Sequence, residues 1–533
     1  MRSATSSKVK LILIACLLCC SAAGVAVYHS REPHPSIEFT SQGLSSLQFR
    51  GVEFLSFGDL RVSRAVMRDS SGRSAPASLD SSLEVDPKTG TVLRRFPWGE
   101  LSARYTTSPG RLAIAITVTN RSQNTLQEAS YEPLGLKFPG KVVEYDGTVP
   151  LLGHNYGDPT LIGMSWGTGI AVLANDDVTQ PLISGFPWAL DRPGNTTFPL
   201  RVCTGRDPML PDMLPYIQRP VAPGVSDTYH LSIRFGSRTT GVSQLGHDVL
   251  QRFAEHYPGH LQWKDRRPIG TIFLASSGSH SAKNPRGWLL DPNIDVKSAA
   301  GVADLKQKIL QLADSTTRIL RSMNAQGAIT WDIEGEEFPT ATYAGDPRQF
   351  TAMAPEMAGI ADAYFERLRN AGFRVGVCVR PQELVFDPQQ QTAIERDTQD
   401  PAALLTEKIA WARNRWGATL FYVDTNGDPS RPLDADILEK VAATFPDVLL
   451  VPEHKNVRYF AFSAPYFSLH EGLAATPEAI RAVYPNAFSL INTADGPIAH
   501  RREELMSAIK HGDILLYRTW YDDPANTEVK SLY

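Results

Sequence analysis

At 533 residues, with 53 Lys plus Arg against 57 Asp plus Glu, the chain carries a formal charge of −4. That near-balance leaves no sequence-wide basic footprint and excludes nucleic acid as a partner on charge alone. Hydrophobic residues at 42% and charged residues at 21% exclude extensive disorder, and 39 Gly and 38 Pro without a repeat exclude a fibre.

In chain order, Arg2, Lys8 and Lys10 precede an apolar run over residues 11–27 that contains Ser21, Ala22, Ala23 and Gly24. A positive start, an apolar stretch and small residues make residues 1–30 a secretory signal peptide. The run is also about long enough to cross a bilayer as a membrane anchor, and Leu13-Ile14-Ala15-Cys16 resembles a lipoprotein box that would carry a lipid anchor. All three readings export the rest of the chain. Cys16, Cys19 and Cys20 fall in this segment, so only Cys203 and Cys378 remain in the body. Two cysteines build no disulfide framework, and no Cys/His spacing resembles a metal site.

Residues 36–238 show short alternating runs such as RLAIAITVTN and HLSIRF, broken by Gly, Pro, Asn and Asp. This pattern predicts an all-β sandwich. Helical spacing in VSQLGHDVLQRFAEHY places a linker helix within residues 239–268. From residue 269 onward, strand-like and helix-like segments alternate. The predicted strands are 269–276, 327–335, 374–381, 418–427, 448–454, 465–472, 487–496 and 513–520. Predicted helices occupy 302–325, 355–371, 401–416, 434–445, 476–483 and 500–511, while 455–464 has no clear helix. Eight strands over residues 269–533 match the roughly 250 residues of a (β/α)8 TIM barrel; the alternative, a doubly wound open sheet, would lack its Gly-rich phosphate turn after the first strand. The fold class is therefore an N-terminal β-sandwich followed by an α/β barrel.

A barrel carries its active site at the C-terminal ends of its strands. Four of these ends are acidic: WDIEGEE on the second strand, YVDTNG on the fourth, PEHKN on the fifth and NTADG on the seventh. Alternation places Thr330, Asp332 and Glu334 on one face of the second strand, and Ile329, Trp331 and Ile333 on the other. With the apolar set assigned to the helices, Asp332 and Glu334 point into the lumen, where Arg380, the substrate or a cation would offset them. Tyr422 and Asp424 share the lumenal face of the fourth strand, and Glu453 ends the lumenal set of the fifth. Several carboxylates in one cavity fit glycoside hydrolysis, which needs one as nucleophile or base and another as acid. Asp424 and Glu453, on adjacent strands, form the expected pair, with Asp332 and Glu334 as further candidate catalytic residues.

An oligo- or polysaccharide substrate also calls for hydrogen-bonding groups and aromatic platforms. Arg380, Gln382, Tyr422, Asn426, His454, Lys455, Asn492 and Arg518 are the candidate polar contacts. Trp288, Tyr459, Phe460, Trp520 and Tyr521 are placed for stacking, each with core packing as its alternative. No cofactor is implied. Asp434 and Asp436 read as loop and helix-cap residues.

The architecture, with the strand-4 Asp in Tyr422-Val423-Asp424 and the strand-5 Glu453, resembles retaining glycoside hydrolases with a mutarotase-like sandwich. It is similar to the α-amylase-like superfamily and to the endo-α-N-acetylgalactosaminidases. That resemblance implies Asp424 as nucleophile, Glu453 as acid/base, Asp495 as a strand-7 stabiliser and α-linked sugars as substrates. Two alternatives remain open: an inverting reaction run by Asp332 or Glu334, and a non-catalytic carbohydrate-binding protein.

Overall fold

The computed structural model describes residues 33–140, 142–144, 161–178, 183–185, 197–204, 219–335, 344–387, 389, 392–428, 431–469, 475–493, 498–519 and 524–533. The expected signal or anchor segment lies outside these residues. Among the described residues, no helix is long and apolar enough to cross a membrane. The chain divides into two compact units, Met1–His256 and Tyr257–Tyr533.

Among its described residues, the first unit is all-β apart from its end. Its two main sheets are antiparallel, one of eight strands and one of six. Strand Arg111–Asn120 shows how the sequence dictates them: its burial alternates at every position, with Leu112, Ile114, Ile116 and Val118 fully inside. Those side chains join Leu101, Tyr229, Leu231 and Ile233 in a single apolar core, as a sheet with one dry face requires. The predicted linker helix resolves into two helices, Gly241–Leu245 and His247–His256, that belong to this unit. Asp248 of the second helix is ion-paired to Arg234 of strand Ser226–Ser237.

The second unit is built on eight parallel strands: β1 (Ile269–Phe273), β2 (Gly327–Trp331), β3 (Arg374–Val379), β4 (Leu420–Val423), β5 (Leu449–Pro452), β6 (Tyr466–Ser468), β7 (Leu490–Asn492) and β8 (Ile514–Arg518). They are hydrogen-bonded in the order β5-β4-β3-β2-β1-β8-β7-β6. Between β5 and β6, the Ala464 N–H donates to the Leu450 carbonyl at 3.0 Å, which draws the last strand toward the first and nearly closes the barrel. Helices α1 (Ala299–Ser322), α2 (Ala361–Asn370), α3 (Pro401–Trp416), α4 (Ala435–Thr444), α5 (Glu478–Val483) and α6 (Arg502–Lys510) follow strands β1, β2, β3, β4, β6 and β7. Their starts follow from local chemistry. Asp400 caps α3 by accepting the Ala403 N–H at 2.9 Å, with Pro401 in the first turn. Asp434 caps α4 in the same way. After β5 the chain makes only a 3-10 turn, Val457–Ala461. After β3 it inserts a two-stranded hairpin, Glu383–Asp387 with Thr392–Arg396, which is absent from the predicted elements.

The barrel interior is a packed core. Ile269, Ile329, Trp331, Cys378, Leu420, Tyr422, Leu449, Val451, Leu490, Ile514 and Leu516 fill it. Trp263 joins this cluster at the N-terminal end, where its indole N–H donates to Gln326 Oε1 at 3.1 Å and Arg374 lies 4.5 Å from the ring centre. Its indole therefore plugs the lower mouth.

One expectation is corrected here. On β2 it is Ile329 and Trp331 that face the lumen, whereas the Thr330 hydroxyl meets the Tyr364 hydroxyl of α2 at 3.1 Å. Asp332 and Glu334 therefore do not share the lumenal face. Alternation correctly groups these residues, but a barrel strand is buried on both sides, so apolarity did not mark the outer face. Trp263→Ala is expected to destabilise the barrel unit by about 3–5 kcal/mol through lost burial; an unchanged denaturant midpoint for this unit would contradict the plug.

Candidate active site

At the C-terminal ends of the strands lies a cavity of about 260 Å³. Its floor is aromatic. Phe273 stacks on Trp331 at 5.1 Å between ring centres, Trp331 meets Tyr422 at 5.2 Å, and Tyr422 meets Tyr466 edge-on at 5.4 Å. Thr271 and Leu516 complete the apolar side, and Asp424, Glu453, Asn492 and Arg518 supply the polar one. Tyr422, Asp424 and Glu453 thus face the lumen, as alternation along β4 and β5 predicts. The Asn492 amide donates to the Tyr466 hydroxyl at 2.7 Å, so part of its hydrogen-bonding capacity serves the wall.

Asp424 is 5% exposed and sits against the Arg380 guanidinium, whose Nε and Nη2 both lie 2.5 Å from Oδ2. The Nη1 of Arg380 reaches Glu395 of the hairpin. On its other side, Asp424 is within hydrogen-bonding reach of the Glu453 carboxyl. Burial pushes the Asp424 carboxyl up to about 6; Arg380 opposes this and the neighbouring Glu453 adds to it. Burial works against the charge on Arg380, yet its two acidic partners hold its pKa above the ordinary value.

Glu453 is oriented by the turn that follows β4. Thr425 adopts a left-handed backbone (φ 49°), and its N–H donates to Glu453 Oε2 at 2.8 Å. A non-glycine residue held in this region costs of order 1 kcal/mol or more, and such strain concentrates at functional sites. Asn426 is fully buried. Its amide donates to the His454 carbonyl at 3.1 Å, and its Oδ1 accepts the His454 N–H at 2.8 Å. Asn426 therefore clamps the end of β5 to the end of β4 and is a structural residue, not the substrate contact expected of it. Gln382 likewise spends its amide N–H on the Thr425 carbonyl at 3.0 Å.

Other expected residues lie apart from the cavity. His454 Nε2 stands 3.7 Å from Glu453 Oε2, behind the acid. The Lys455 ammonium lies 4.4 Å from the centre of the Phe467 ring. Trp288 is fully buried and donates to Glu356 at 2.7 Å, and Tyr459 and Phe460 are buried as well, so these three are packing residues and not stacking platforms. Asp495, Trp520 and Tyr521 lie outside the described residues. Phe273, Trp331, Tyr466 and Glu395 were not anticipated. The first three could have been found by treating the lumen as apolar; Glu395 carries no signal in the sequence.

Asp332 and Glu334 form a turn beyond β2, closed by the Gly335 N–H to the Asp332 carbonyl at 3.0 Å, with Asp332 at φ 62°. Neither lines the cavity. Glu334 instead belongs to a buried charge cluster with Asp346 and Lys408. Lys408 has no exposed side-chain surface and donates to the carbonyls of Arg380, Gln382 and Gly345 at 2.9, 2.8 and 3.2 Å, with Asp346 3.7 Å away. Among the described residues, no group of three or more His, Cys, Asp or Glu is placed to hold a metal ion.

Burial raises the Glu334 carboxyl from its ordinary 4.5 to about 7, and Asp346 adds to the effect. A carboxyl raised on folding stabilises the protein fully below the lower value, and this contribution is lost as the pH rises through the upper one. Glu334→Gln is therefore expected to be more stabilising at pH 8 than at pH 5, the difference reaching up to about 3 kcal/mol. Equal changes in Tm at the two pH values would contradict the assignment.

No protein-family model matches the chain, and no curated protein matches it in sequence. Among solved structures, it is similar to alpha-N-acetylgalactosaminidase NagBb from Bifidobacterium bifidum, a GalNAc complex, with 11% identity and a TM-score of 0.52 over 94% of this chain and 92% of that one. GH36 alpha-galactosidase AgaA from Geobacillus stearothermophilus matches with 11% identity and a TM-score of 0.45 over 93% and 84% of the two chains. The alpha-galactosidase from Lactobacillus brevis matches with 12% identity and a TM-score of 0.40 over 94% and 72%. At 11% identity, the likeness to NagBb is one of fold, extending over nearly the whole of both chains.

Proposed function

We propose that the protein is an exported glycoside hydrolase that cleaves α-linked sugars with retention of configuration, Asp424 acting as nucleophile and Glu453 as acid/base. The observation that carries this reading is the pairing of these two carboxyls at the aromatic-floored cavity, with the Arg380 guanidinium on Asp424. Their places at the ends of adjacent strands favour retention, since retaining enzymes hold their carboxyls only about 5–5.5 Å apart, whereas inverting enzymes need roughly 6.5–9.5 Å to admit a water. The choice of α-linked sugars is supported by the alpha-N-acetylgalactosaminidase of similar fold. The apolar run over 11–27, following Arg2, Lys8 and Lys10, supports export.

In this mechanism the sugar's apolar face lies on the Trp331 and Tyr422 rings, and Asn492 and Arg518 meet its hydroxyls. Arg380 keeps negative charge on Asp424. An Asp424 oxygen attacks the anomeric carbon as the glycosidic C–O bond breaks, and Glu453 gives its proton to the leaving oxygen. Glu453 then takes a proton from water, whose oxygen attacks the same carbon and releases Asp424. Asp332 and Glu334 have no part in these steps, because they do not reach the cavity, and an inverting reaction run by them loses its support.

Asp424→Asn should lower kcat/KM on an activated α-glycoside, and Glu453→Gln should lower it on an α-glycoside with an unactivated leaving group, each by at least about 10²-fold with the fold intact. Because the nucleophile must be ionised, kcat/KM of the wild type is expected to fall as the pH drops through about 6. Wild-type rates in both variants, or a first-formed product of inverted configuration by NMR, would overturn the assignment.

A further inference from the structure

Arg380 is held from several sides, and its constraint begins in the backbone. Its N–H donates to the Gly345 carbonyl at 3.0 Å, and its own carbonyl accepts from Lys408 at 2.9 Å. Gly345 has φ 59°, and a Cβ there would fall 2.9 Å from the Arg380 nitrogen, so the approach needs glycine. The guanidinium then divides between two acids, Nε and Nη2 on Asp424 and Nη1 on Glu395.

Glu395 is carried by the second strand of the hairpin, and the hairpin is itself anchored. Ala393, two positions earlier and on the same face, is fully buried against Leu384, Met353, Ala344 and Phe386. In the hairpin register, Glu395 lies opposite Leu384. Its side chain is 22% exposed, so it meets Arg380 from the solvent side of the site. Glu395 is not among the residues that line the cavity.

We propose that Glu395 tunes Asp424 through Arg380: by taking one arm of the guanidinium it limits how much of the positive charge that carboxylate receives. The proposal rests on the reading of Asp424 as nucleophile for its catalytic consequence. The charged and titratable groups around Asp424 are Cys378 and Arg380 from β3, Tyr422 from its own strand, Glu453 with His454 behind it from β5, and Tyr466 and Arg518 across the cavity. The turn after β2 brings Asp332 and Glu334 near Cys378. Glu395 enters this set through Arg380. Removing its charge has one sign: a negative charge leaves the neighbourhood and the guanidinium serves Asp424 alone, so the ionised form of Asp424 is favoured.

The test is the titration of the Asp424 carboxyl by 13C NMR in the full chain, with side-chain-labelled aspartate and the resonance identified by its loss in Asp424→Asn. Glu395→Gln is expected to lower the midpoint by about 0.5 pH unit or more, and Glu395→Asp, which keeps the charge on a shorter arm, to lie between it and the wild type. The acid limb of kcat/KM should move down by the same amount. A hairpin that serves only as scaffold would loosen Arg380 and leave the midpoint unchanged or raise it, and either result overturns the proposal. A lowered midpoint with an unmoved acid limb overturns its catalytic half. A lowered midpoint in a protein that hydrolyses no α-glycoside supports the ion-pair assignment while removing the functional reading, so the two failures are distinct.

Discussion

The contact between Arg380 and Asp424 is what allows a nearly dry carboxylate to exist at the end of the barrel. A buried carboxyl without a partner would take up a proton, because the cost of holding its charge away from water exceeds anything the apolar walls return. Here a guanidinium with two nitrogens on one oxygen offsets that cost. The compensation is partial, since burial still pushes the Asp424 carboxyl up to about 6. Much of the surrounding structure serves this one contact: Gly345 and Lys408 hold the backbone of Arg380, and the hairpin holds its far arm.

The second acid is held by a different device. Thr425 and Asn426 form a short turn in which a strained backbone N–H and a buried amide both serve the end of β5. Each carboxyl is thus fixed by groups outside the cavity, which leaves the cavity wall to aromatic rings. Such a wall suits a sugar, whose C–H face lies on a ring while its hydroxyls find the polar side. Placing both supports on β3, β4 and β5 also ties the site to the barrel's shape, because the seam between β5 and β6 is bridged by the Ala464–Leu450 hydrogen bond.

The sequence made the two-part architecture and the β4 and β5 carboxylates legible, and for a physical reason. Asp424 and Glu453 each end an apolar run whose alternate members, Tyr422 and Val451, fill the lumen, so the phase of the strand and the position of the acid agree. On β2 the same rule grouped the residues correctly and chose the wrong face. Trp331 is large and apolar, and its burial inside the barrel cannot be told from burial against helices by its sequence alone. Tyr459 and Trp288 take the packing alternative and Asn426 holds a turn, because side chains suited to binding sugars are equally suited to holding loops. Lys408 and Glu395 act through other residues and left no pattern to follow.

The central claim is that Asp424 becomes bonded to the sugar during turnover. The most direct measurement is to trap that bond with an activated fluorinated α-glycoside, which slows hydrolysis of the intermediate, and to locate the added mass by peptide mapping. The account predicts one sugar per chain, ester-linked to Asp424, with labelling abolished in Asp424→Asn. A sugar found on Glu453, Glu395 or Glu334, or steady turnover of the reagent with no labelled peptide, would contradict it.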